Sequence, residues 1–124
     1  MLEQILVVGH CLPDTFMLKS KMQQLFPDVN VDSCNSHSDL KAKANSSTLL
    51  LVNRVLDGAF GSDAGIELIA DFAKIDNAPK QMLISNFAES HQQAMAVGAL
   101  MGFGKSEMGS SQTEEKLKKV VLGD

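Results

Sequence analysis

The sequence predicts an α/β fold: a parallel five-stranded sheet covered by helices on both faces. Three observations predict it. Short apolar, β-branched runs alternate five times with segments patterned as helices. The run TLLLVN, residues 48–53, is apolar almost throughout, as a central strand buried on both faces must be. A helix-length segment separates each strand from the next, which is the connection parallel pairing requires.

Each element has a local reason. QILVVG (residues 4–9) is too short for a helix and reads as the first strand. Pro13 and a capping Asp14 start a helix that runs to Phe26, with Leu18, Met22 and Leu25 sharing one face, though Met17 and Met22 suit either face. Pro27-Asp28 breaks this helix, and VNVDSC (residues 29–34) alternates as a strand should. Ser36 or Ser38 caps a short helix ending at Ala44, before the central strand. A glycine-rich loop (residues 54–65) follows. Ser62 or Asp63 then caps a helix expected to turn Ile66, Ile69, Ala70 and Ala73 inward. QMLISN (residues 81–86) is the fourth strand. Residues 89–98 form a helix closed by a left-handed Gly98, with His91 on its solvated surface. LMGFG (residues 100–104) is the fifth strand. Residues 113–122 form the last helix, with Leu117, Val120 and Val121 inward and the pairs Glu114–Lys118 and Glu115–Lys119 on its outer face. Together these elements predict a flavodoxin-like sandwich with strand order 2-1-3-4-5, occupying residues 1–124 as one domain.

Bulk composition narrows the function. The 124 residues can bury a core unaided, and 44% hydrophobic with 21% charged residues is ordinary for a globular chain. A net charge of −4 without a basic stripe excludes a nucleic-acid binder. With Trp and Tyr absent and the six Phe expected in the core, no base-stacking platform exists. Met82, Met95 and Met101 are also expected in the core. No apolar run approaches the ~20 residues of a membrane helix. The N-terminus carries no basic region or cleavage site of a signal peptide. Cytoplasmic residence is expected, with Cys11 and Cys34 reduced.

In sheets of this kind chemistry gathers beyond the carboxyl ends of the strands. Here those ends supply Gly9-His10-Cys11, Cys34, Asn53, Ser85-Asn86 and Gly104-Lys105. ILVVGH, LLLVNRVLDG followed by GIEL, MLISN and AMAVGALMGFGK stand in the order and spacing of one family. On these segments, which cover nearly the whole chain, the sequence resembles the receiver domain of two-component response regulators. The resemblance maps Ser85 onto the Ser or Thr after the fourth strand and Lys105 onto the lysine after the fifth. It puts Asn53 at the phospho-acceptor position, where the family has aspartate, and Gly9 and His10 near the acidic pair that binds Mg²⁺. The first loop is about one residue longer than usual and the loop after Asn53 about four. The loop after Ser85 is about two shorter, and Ser106 follows Lys105 where proline is common.

These departures have a chemical consequence. Phosphoryl transfer needs an anionic carboxylate oxygen, which a carboxamide does not supply. Magnesium needs hard anionic oxygens beside the phosphoryl group, which glycine and histidine do not supply. The resemblance therefore implies a pseudo-receiver: no catalytic residue, no cofactor, no phosphorylation at Asn53, and signalling through a protein partner or a homodimer. The surfaces it implies are helix 1 or the helix 4, strand 5 and helix 5 face. Lys105 would bond to the Asn53 side-chain oxygen or a strand-end carbonyl.

Two other readings compete. His10, Cys11, Cys34 and His37 at neighbouring strand ends offer four N/S ligands for a metal or small ligand, against a plainer reading of buried cysteines and solvated histidines. An active receiver using Asp57 or Asp63 would need the long loop to fold back into the site. Weaker signals fail on their own terms. Cys11 stands alone as a candidate thiol nucleophile. GALMGFGKS has Ala99 where a P-loop needs glycine. GHCLPD lacks the hydroxyls, and the chain the Trp or Tyr, of an FMN site.

Overall fold

The computed structural model describes residues 1–123. Its strands are β1 (Gln4–Val8), β2 (Asn30–Cys34), β3 (Thr48–Asn53), β4 (Lys80–Ile84) and β5 (Leu100–Phe103). Its helices are α1 (Leu12–Leu25), α2 (His37–Lys43), α3 (Gly65–Ala73), α4 (Ala88–Ala96) and α5 (Ser111–Leu122). The strands form one parallel sheet in the order β2-β1-β3-β4-β5, as the alternation predicted. Val8 lies beside Cys34 on one side and Val52 on the other, and Asn53 lies beside Ile84. These pairings level the carboxyl ends of β2, β1, β3 and β4. Between β4 and β5 the register shifts, Met82 facing Leu100 and Ile84 facing Phe103. The extra β5 residue is a bulge of the kind that bends a strand and re-aims its end, here the approach to Lys105.

Because side chains alternate along a strand, β1, β3 and β4 feed two cores. Ile5, Val7, Leu49, Leu51, Met82 and Ile84 pack under α1 and α5, against Leu18, Met22, Leu117 and Val121. Leu6, Val8, Leu50, Val52 and Leu83 pack under α2, α3 and α4, against Leu40, Ile69, Phe72 and Ala94. Each fully buried Leu or Met stabilises by about 1.5–3 kcal/mol, so the central strands dominate the favourable energy.

Several local expectations are corrected. Asp14 lies inside the first turn of α1, and Cys11 is the N-cap residue. Pro13 has no N–H to lose in a first turn, so the helix can begin before it. Ser36 does cap α2, accepting the Asp39 N–H at 3.2 Å. Ala64, not Ser62 or Asp63, is the N-cap of α3; Ser62 instead accepts the Ala64 N–H at 3.2 Å and donates to Glu67 at 2.6 Å. The inward face of α3 carries Leu68, Ile69 and Phe72, while Ala70 and Ala73 are only half-buried, since the larger apolar side chains gain more by burial. Ser110 caps α5 through the Thr113 N–H, two residues earlier than the pattern indicated. Glu114 turns to Lys21 of α1 at 2.7 Å, joining the two helices of one face. Phe16, Phe87, Met95 and Met101 are exposed, against their expected place in the core.

Candidate functional site

The strand ends are organised by the long loop after β3. Gly9 has φ +73°, and a Cβ there would come within 2.6 Å of Leu56 Cδ2 and 3.3 Å of the Leu56 backbone. Leu56 is buried in the second core with Phe60, so the loop is seated on the end of β1. Asp57 N–H donates to the Gly9 carbonyl at 2.9 Å, and Leu56 N–H to Asp63 at 2.7 Å. His37 N–H donates to Ala59 and Ala59 N–H to Asn35, which ties the same loop to the start of α2. Folding back thus brings in Leu56 and backbone, while Asp57 and Asp63 remain exposed. The side chain that the loop seats against Gly9 is thus apolar.

Asn53, at the end of β3, donates through Nδ2 to the Gly9 carbonyl at 3.1 Å and to the Val55 carbonyl at 2.7 Å. Both bonds need an N–H, which a carboxylate lacks. Lys105 does not bond to Asn53 or a strand-end carbonyl as expected. Its Nζ pairs with Asp14 Oδ2 at 2.6 Å. In sheet order β3 and β4 separate the strands that lead to these two residues. The pair therefore links the start of α1 to the end of β5, elements whose strands are not neighbours in the sheet. The hydrogen bond from Lys105 holds the Asp14 carboxyl below its ordinary value, with Cys11 adding to the effect.

Ser85, after β4, is buried and its Oγ accepts the Phe87 N–H at 3.1 Å. Asn86 Oδ1 accepts the Ser106 hydroxyl at 3.1 Å, joining the β4 and β5 loops. Between the ends of β3, β4 and β5 lies an open cleft of about 260 Å³, bordered by Asn53, Arg54, Ser85, Phe87 and Lys105. The Arg54 guanidinium lies over the Phe87 ring, 5.2 Å from its centroid.

The four candidate metal ligands are dispersed. His10 was expected in a solvated loop, yet it is 3% exposed, with Nε2 donating to the Leu51 carbonyl at 2.9 Å. Burial pushes its pKa down to about 4, so the ring is neutral. His37 packs its ring against Phe72 at 5.4 Å. Cys34 is buried, and desolvation raises its pKa. Cys11 was expected to be buried and is exposed, because it is the helix N-cap beyond the sheet. Both thiols are free. Among the described residues no three His, Cys, Asp or Glu side chains converge as a metal would require. His91 is also buried rather than solvated, with Nε2 donating to the Ser85 carbonyl at 2.7 Å, so it fastens α4 to the end of β4.

Sequence reasoning missed Asp14, Arg54, Phe87 and His91. Arg54 carried a usable signal, since it directly follows the strand-ending Asn53. Asp14 lies 91 residues from Lys105, and nothing local marks that pairing.

No family model and no curated protein sequence matches the chain. Solved structures do. The signal receiver domain of a DNA-binding response regulator from Colwellia psychrerythraea 34H superposes with a TM-score of 0.75 at 17% identity, over 97% of this chain and 98% of that one. A response regulator from Colwellia psychrerythraea matches at 0.70 and 15% identity over the whole of both chains. A response regulator receiver protein from Pseudoalteromonas atlantica matches at 0.68 and 18% identity, over 97% of this chain and 98% of that one. The flavodoxin-like fold of this chain is thus the fold of those receivers. Among the described residues no helix is long and apolar enough to cross a membrane.

Proposed function

We propose that this chain is a pseudo-receiver: a receiver-like module of two-component-type signalling that works by protein contacts, without phosphorylation and without chemistry of its own. The observation that carries the reading is the use of Asn53. Its amide is spent on the Gly9 and Val55 carbonyls, at the position where the resemblance puts a phosphorylated aspartate. Two further observations support it. Lys105 is engaged by Asp14, and Leu56 occupies the neighbourhood of the missing acidic pair. A domain held in one arrangement can present a constant surface to a partner.

The exposed apolar side chains are in keeping with such contacts. Leu12 and Phe16, 82% and 75% exposed, stand one turn apart on α1, and Met95, Leu100 and Met101 stand on α4 and β5. Side chains of this size without cover are common at interaction surfaces. The module works in the cytoplasm in this reading, where its free thiols stay reduced.

Incubation with acetyl phosphate and Mg²⁺, read by intact mass, tests the proposal. The expected mass is unchanged. A base-labile gain of one phosphoryl group would overturn the reading.

A further inference from the structure

We propose that the cleft between the ends of β3 and β4 reversibly binds a small organic carboxylate, with Arg54 as its anchor. The inference rests on the pseudo-receiver reading in one respect: the cleft must be free of a phosphorylated side chain.

Charge is the first observation. Two cations border the cleft. Lys105 is already paired with Asp14 at 2.6 Å. Arg54 makes no ion pair among the described residues. The Arg54 guanidinium lies over the Phe87 ring with Cζ 5.2 Å from its centroid, and its N–H groups can donate to an incoming group. A planar carboxylate matches those N–H groups with two parallel hydrogen bonds. The Ser85 hydroxyl accepts the Phe87 N–H and so keeps its own proton to donate.

Shape and polarity are the second. Phe87 is 60% exposed and Val55 48% exposed, and both line the cleft beside the polar groups. An inorganic anion would leave this apolar wall wet. A ligand with a carboxylate head and a short apolar body satisfies both halves. The volume of about 260 Å³ lies just under the range of ~300–1,000 Å³ typical of drug-sized ligands, so the occupant is small.

The test uses the full chain, ¹⁵N-labelled, titrated with benzoate, with neutral benzamide and with inorganic phosphate at millimolar concentration. Benzoate is expected to shift the backbone amides of Arg54, Ser85 and Phe87 saturably, while benzamide and phosphate leave them in place. Arg54→Gln should weaken benzoate by about tenfold or more, as the loss of a charge-assisted pair implies. Phe87→Ala should weaken it measurably. Both residues are exposed, and unchanged resonances in the sheet establish that the variants fold. No saturable shift with benzoate, equal binding by either variant, or the same shifts with phosphate would overturn the proposal. The mass experiment with acetyl phosphate reads the pseudo-receiver claim separately. An unphosphorylated chain that ignores benzoate would defeat only the ligand site.

Discussion

Asn53 and Gly9 meet at the boundary of β3 and β1, the Asn53 amide donating to the Gly9 carbonyl oxygen at 3.1 Å. The same oxygen accepts the Asp57 N–H at 2.9 Å. One carbonyl thus holds both the strand end and the loop that covers it, and the asparagine is part of the scaffold.

An aspartate placed at position 53 should therefore not become a phosphorylation site. Asn53→Asp removes both N–H donors and sets a carboxylate against the Gly9 and Val55 carbonyls. Urea denaturation should show a loss of about 1–2 kcal/mol. Acetyl phosphate with Mg²⁺ should still leave the mass unchanged, because Leu56 and Gly9 provide no anionic ligands for the metal.

Gly9 should tolerate no side chain. With φ +73° and Leu56 Cδ2 in the way of a Cβ, Gly9→Ala meets both backbone strain and a clash. A destabilisation of about 2 kcal/mol or more is expected. Pairing the substitution with Leu56→Ala should relieve the steric part, a non-additivity that a double-mutant cycle would detect.

The Asp14–Lys105 pair should couple two distant parts of the chain weakly. Both side chains are about three-tenths exposed, so solvent screens the pair and a coupling of about 1 kcal/mol or less is expected from Asp14→Asn and Lys105→Met. The Asp14 carboxyl is held low in the folded state, so its contribution is present above the ordinary value of 3.8. It is lost as pH falls through the depressed folded value. A cycle repeated at neutral pH and in strong acid should find the coupling only at neutral pH.

His10 should make the fold acid-sensitive. Its folded pKa of about 4 lies below the ordinary 6.5, because burial disfavours the imidazolium. Between those values the unfolded chain takes up a proton that the folded chain refuses. Stability should fall as pH drops from 6.5 to about 4, by about 3 kcal/mol, and this contribution should level off below that. His10→Gln should flatten this part of the stability profile. An NMR titration that found His10 charged at pH 6 would contradict it.

Much of the fold was legible because its causes are local. The alternation of apolar runs and amphipathic segments marked all five strands and all five helices, and TLLLVN lies at the centre of the sheet. Boundaries slipped where several local choices were close in energy, as at Cys11 and Ala64. Of the site, Asn53, Ser85 and Lys105 were readable from their positions at strand ends. Their partners were not. A pattern scan cannot tell that His10 and His91 are buried on strand-end carbonyls, or that Phe16 and Phe87 stay in water.

The sequence by itself determined the layering, the parallel order and the absence of a carboxylate at the third strand's end, because periodicity and residue identity are written along the chain. Only the tertiary structure decided what that asparagine holds, that Lys105 reaches Asp14, and that Arg54 settles on Phe87. Those contacts depend on how far each loop folds back over the sheet, and that is set by packing between residues tens of positions apart.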